Sequence, residues 1–152
     1  MVEASDVWKV YQTGPLKVEA LRGLNLKIRK GEMMAVMGPS GCGKTTLLNC
    51  LSGLDDLSKG RVAIEGTDLA KMTDDQKSEF RAKRMGFIFQ AYNLLPVLTA
   101  QENVELPLLL SGVPESEAST AALDSLKMVG LADWKSHKPM ELSGGQQQRA
   151  AV

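Results

Sequence analysis

The stretch Gly38-Pro39-Ser40-Gly41-Cys42-Gly43-Lys44-Thr45 matches the pattern G-x-x-x-x-G-K-[ST] at every fixed position, and no other stretch constrains the fold as much. Residues 33–37 (MMAVM) before it form an apolar run, too short for a helix and long enough for a buried strand. Residues 46–51 after it read as a helix, with Gly53 just past the end. Strand, glycine-rich turn and helix together give the pattern a physical meaning. Gly38, Gly41 and Gly43 carry no Cβ, so the backbone can turn tightly and approach a ligand closely. Successive N–H groups then converge on an anion, and the helix start adds its partial positive charge. Lys44 supplies a point charge for β- and γ-phosphates, and the Thr45 hydroxyl suits Mg²⁺. The alternative is a glycine-rich turn that binds nothing; Lys-Thr at this offset, between an apolar strand and a helix, argues against it.

Other function classes find less support. Eighteen basic and eighteen acidic side chains balance, so nothing in the charge calls for nucleic acid or an anionic surface. No apolar run approaches the roughly 18–20 residues that span a bilayer. The N-terminal residues include Glu3 and Asp6 and no apolar leader, so the expectation is a protein that is not exported. Cys42 and Cys50 make neither a disulfide framework nor a zinc site, which suits a reducing cytosol, and Cys42 reads as a small filler in the loop.

Along the chain, residues 7–10 read as a short strand before a turn at Gly14-Pro15. Leu24, Leu26 and Ile28 alternate with Asn25, Lys27 and Arg29, the mark of a strand with one wet face. Residues 61–65 alternate likewise and close at Gly66. Thr73-x-x-Gln76 and Thr99-x-x-Glu102 are capping boxes, each opening a helix, and Pro107 is expected to kink or end the second. Residues 85–89 (MGFIF) form a second short apolar strand ending at Gln90. Ala118, Ala122, Leu126 and Val129 line one face of a further helix that stops at Gly130. His137 reads as a solvated loop residue, and Arg81, Lys83 and Arg84 as a wet helix face. In Leu142-Ser143-Gly144-Gly145-Gln146, Ser143 can cap a helix, and the two glycines let the backbone come close to a ligand, making a second anion-binding helix start.

With both motifs in view, the sequence resembles the ATP-binding-cassette (ABC) ATPases across essentially the whole chain. GPSGCGKTT is similar to their Walker A loop, LSGGQQQR to their signature motif, Gln90 to the Q-loop glutamine, and Tyr11 to the aromatic that stacks on adenine. The wording is most like the lipoprotein-release and macrolide-export members. The resemblance implies an α/β P-loop fold with an N-terminal antiparallel β subdomain and a helical subdomain. It divides residues 1–152 into a β and phosphate-loop part (1–90), a mainly helical part (91–142), and the signature motif with the start of its helix (142–152). It implies that Gly38, Ser40, Gly41, Cys42, Gly43, Lys44, Thr45 and Thr46 hold ATP, with Thr45 and Gln90 at Mg²⁺ and Lys44 and Gln90 serving catalysis. Ser143, Gly144, Gly145 and Gln146 would close over the nucleotide of a second ATP-binding subunit in a head-to-tail dimer. It implies a transmembrane permease as partner, membrane contact only through that permease, and a place at the inner face of the cell membrane.

The resemblance departs after the signature motif. The family's Walker B aspartate, catalytic glutamate, D-loop and switch histidine have no counterpart before Val152. Hydrolysis needs a positioned nucleophile and metal support, so residues 1–152 are expected not to turn ATP over alone. In the family's sheet, later strands separate 33–37 from 85–89, so the core sheet is expected to be incomplete here, with unpaired strand edges. Two other readings differ in class: an ABC protein outside transport, or a truncated one, acting as a nucleotide-dependent dimerisation module, and a GTPase. The absence of an N-K-x-D motif argues against the GTPase.

Overall fold

The computed structural model describes residues 1–152, which divide into two compact units, Met1–Arg81 and Ala82–Val152. Each unit has its own apolar core.

The first unit is built on a four-stranded antiparallel sheet, ordered β2-β1-β3-β4. Strand β1 (Val2–Thr13) and strand β2 (Leu16–Ile28) form a long hairpin that turns at Gly14 and Pro15, with Thr13 opposite Leu16 and Val2 opposite Ile28. β1 is thus much longer than the four residues its hydropathy suggests. Exposed charged positions interrupt the pattern, and the ladder tolerates them because it shifts register between Ala4 and Val7 and again around Lys9. Strand β3 (Lys59–Ile64) pairs with β1, and the two-residue β4 (Thr67–Asp68) closes the edge. Gly60 is obligatory at this crossing: its φ is +96°, and a Cβ would collide with the Asp6 carbonyl oxygen. Helix α1 (Lys44–Leu51) lays Leu47, Cys50 and Leu51 on the sheet, where they join Ala4, Val7, Leu21, Val62 and Leu69 in the core. Helix α2 (Asp74–Arg84) opens with the expected Thr73–Gln76 box. Arg81 is not a wet-face residue: its guanidinium donates to the Gly53 carbonyl at 2.8 Å, holding the turn after α1.

In the second unit, helix α3 (Ala100–Leu110) is capped by the reciprocal Thr99–Glu102 box. Pro107 neither ends nor breaks it. The proline forfeits one intrahelical bond, to the Asn103 carbonyl, and Ser111 caps the end by donating from its amide and hydroxyl to the Pro107 carbonyl. Helix α4 (Glu115–Met128) buries Ala118, Ala122 and Leu126 as its spacing predicts, and Gly130, at φ +71°, provides the left-handed stop. Helix α5 (Gly144–Ala151) completes the unit. Ala100, Leu126, Leu131, Leu142 and Ala150 form its core, and burying Leu126 alone contributes roughly 1.5–3 kcal/mol. His137 is not a solvated loop residue. It is partly buried against the Trp134 ring at 4.8 Å, and its backbone bridges Trp134 and Ala100.

The two apolar runs expected as buried strands are neither laddered nor buried. Residues 33–37 and 85–89 join no sheet. Met33 is 99% exposed, Met37 88% and Ile88 65%. A strand needs neighbours for its backbone N–H and C=O groups, and the four-stranded sheet has none to offer these runs. The core sheet is incomplete in these residues, as expected.

Candidate functional site

The phosphate loop starts where β2 and α1 come together. Gly43 is the N-cap of α1 in a left-handed conformation (φ +91°), and a Cβ there would lie 2.8 Å from the Ala20 carbonyl oxygen in β2. Glycine is therefore required twice over, by conformation and by space. Gly41 also takes a positive φ, +80°. A Cβ on Gly38 would meet the sulfur of Cys42, an exposed free thiol, at 2.8 Å. The Lys44 ammonium folds back across the loop and donates to the carbonyls of Gly38 at 2.7 Å and Pro39 at 2.6 Å. That arrangement closes the loop into a ring of backbone with one positive charge at its rim. The first-turn amides of α1, from Lys44, Thr45 and Thr46, have no intrahelical acceptor and face the N-terminal end, where an anion is favoured. Thr45 is exposed at that end, and Ser40 lies on the exposed turn of the loop.

Tyr11 lies near the end of β1 and is 40% exposed. Its hydroxyl donates to Asp55 at 2.6 Å, and that bond raises its phenol above the ordinary value. The Lys9 ammonium pairs with Asp55 and sits 4.8 Å from the centre of the Tyr11 ring. Burial opposes ionisation of Asp55, but the hydrogen bonds from Lys9 and Tyr11 outweigh it and hold the carboxyl below the usual range.

The other predicted residues belong to the second unit. Gln90 is exposed and opens a turn in which the Tyr92 amide donates to the Phe89 carbonyl at 3.1 Å. Tyr92 and Asn93 both take positive φ, +62° and +54°, an uncommon pair of conformations for side-chain-bearing residues. Ser143 caps α5, and the cap is reciprocal: its oxygen accepts from the Gln146 amide at 3.4 Å, and the Gln146 side-chain oxygen accepts from the Ser143 amide at 2.8 Å. Ser143, Gly144 and Gly145 are exposed, while Gln146 spends its side-chain oxygen on the cap. A Cβ on Gly144 would lie 3.4 Å from the Tyr92 hydroxyl.

Sequence reasoning named the loop and the helix starts but missed Lys9, Asp55 and Tyr92. Lys9 stands two residues from Tyr11, the interval that puts neighbours on one side of a strand, and this was the only signal available.

A model of the ABC transporter family matches residues 21–152. The chain belongs to that family. It is 50% identical, over all of its 152 residues, to an uncharacterized ABC transporter ATP-binding protein of Thermotoga maritima, of which it covers 65%. It is 48% identical to the lipoprotein-releasing system ATP-binding protein LolD of Bacteroides thetaiotaomicron, covering 68% of it. To the macrolide export ATP-binding/permease protein MacB of Brucella melitensis it is 43% identical, covering 24%. Among solved structures, a dimeric post-hydrolysis state of the ATP-binding cassette MJ0796, bound to ADP and Pi, superposes with a TM-score of 0.93 at 43% identity; the match covers 99% of this chain and 67% of that one. The α/β ABC ATPase fold is therefore that of this chain. The chain spans about two thirds of the Thermotoga and Bacteroides relatives and a quarter of MacB.

Proposed function

We propose that this chain is the N-terminal portion of a nucleotide-binding domain that binds MgATP for a membrane permease. The observation that carries the reading is the loop closed by the Lys44 ammonium over the start of α1, where Gly43 admits no side chain. A triphosphate would replace the Gly38 and Pro39 carbonyls as the partner of Lys44 and take the first-turn amides of α1. Thr45, exposed at the start of α1, would supply a hydroxyl to Mg²⁺; the resemblance alone assigns Gln90 a side-chain oxygen that completes the shell or orients water. Bound there, the ion would neutralise charge on the β- and γ-phosphates.

We read Ser143, Gly144, Gly145 and Gln146 as the face that closes on the nucleotide of a second ATP-binding subunit, head to tail. Four features support this: the exposed capped start of α5, its two glycines, the family, and the dimeric cassette to which the chain is similar. No helix is long and apolar enough to cross a membrane, so the permease would be a separate partner or segment, and the working place the inner face of the cell membrane. Residues 1–90 would then be the β and phosphate-loop part, 91–142 the mainly helical part, and 142–152 the signature motif. The relatives named for lipoprotein release and macrolide export support a transport role of that kind.

Titration with MgATP tests the reading. Lys44→Ala is expected to weaken binding about 10- to 100-fold, the equivalent of about 1.5–3 kcal/mol for a charge-assisted hydrogen bond. Equal affinity in the variant and the parent would overturn it. Residues 1–152 alone are expected to release no phosphate above background, because they place no carboxylate at the end of an apolar strand to activate water. Steady release abolished by Lys44→Ala would contradict that.

A further inference from the structure

We propose that Lys9 and Asp55 are positioning residues that lock the Tyr11 ring as the platform for the nucleobase, and so make binding depend on the base as well as on the phosphates. The inference rests on the reading of Tyr11 as an adenine platform and adds to it the device that holds the ring still. One Asp55 oxygen takes the Lys9 ammonium and the other takes the Tyr11 hydroxyl at 2.6 Å. Lys9 also donates to the Asp56 carbonyl at 2.7 Å, tying the turn after α1 to β1. The Lys9 and Asp55 side chains are largely shielded, at 12% and 27% exposure, so the pair is screened less than a surface ion pair.

The Tyr11 hydroxyl is thus held by Asp55, just beyond the C-terminal end of α1. The same helix carries the phosphate loop at its start. Ring and loop are thereby kept at a set spacing, which a ligand carrying a base at one end and phosphates at the other can use. With Lys9 near the ring and the hydroxyl anchored, the ring gives up little rotational freedom when a base stacks on it.

The test compares MgATP with magnesium tripolyphosphate, which has the phosphates and no base, in the full chain and its Y11A, Y11F and D55N variants. Y11A is expected to weaken ATP at least about fivefold, the lower end of base–aromatic stacking, and to leave tripolyphosphate unchanged. Y11F keeps the ring and loses only the anchor; it and D55N are expected to weaken ATP about threefold, again without affecting tripolyphosphate. If Y11A weakens ATP while Y11F and D55N match the parent, the lock is refuted and the platform stands. If Y11A matches the parent, the platform reading fails and the lock with it. If D55N weakens both ligands equally, Asp55 merely supports α1, and the proposal is overturned.

Discussion

Gly43 has room for nothing beyond hydrogen. Gly43→Ala would place a methyl group 2.8 Å from the Ala20 carbonyl at a left-handed φ, a conformation that costs an alanine about 1–2 kcal/mol before the clash is counted. The expected outcome is a fall of at least about 2 kcal/mol in unfolding free energy, read by denaturant titration, together with loss of measurable ATP binding. Asp55 makes a different prediction, one that depends on pH. Its folded pKa lies below the unfolded value of about 3.9, so its contribution to stability is complete above that value and disappears as pH falls through the folded one. The stability difference between the parent and Asp55→Asn should therefore be constant near neutrality and shrink below about pH 4. A difference that stays unchanged to pH 2 would show that the carboxylate's ionisation is not what Lys9 and Tyr11 stabilise. At this scale the sequence was readable where chemistry follows from spacing, as for Gly43, Lys44 and Ser143. It was silent where a contact joins distant stretches: Tyr11 and Asp55 are 44 residues apart.

Among the elements, the helices of the second unit show which signals are local. The Thr99 box was legible because both its partners lie within four residues, and Thr99→Ala is expected to cost about 1 kcal/mol in thermal or chemical unfolding. Leu126 of α4 is almost wholly buried, and Leu126→Ala should cost 2–5 kcal/mol, so the ratio of the two losses separates capping from packing. Pro107 was expected to kink or end the helix, and α3 runs on to Leu110, so it does not end there; the lost donor and the ring act on the Asn103 carbonyl one turn earlier, and the helix tolerates them. The length of β1 was misread too. Its register shifts permit polar residues that a regular alternation would forbid, and those shifts answer to β2 and β3 rather than to β1 itself.

For the molecule as a whole, the exposed runs at 33–37 and 85–89 carry the main consequence. Apolar and outside any ladder, they present backbone donors and acceptors to whatever strand meets them. A polypeptide of residues 1–152 is expected to self-associate at micromolar concentration in light scattering, and Met37→Lys with Ile88→Lys should reduce that association. A monodisperse monomer in the parent would contradict it. The amino-acid order alone determined the glycine-rich loop, the helix starts, the family and the apolar character of both runs, since these depend on residue type at short range. Only the tertiary structure decided that those runs lie exposed rather than buried, that Arg81 secures a turn, and that Lys9 and Asp55 hold Tyr11. Pairing partners and ion pairs are chosen by which distant segments the fold brings within a few ångströms, and no local pattern encodes that choice.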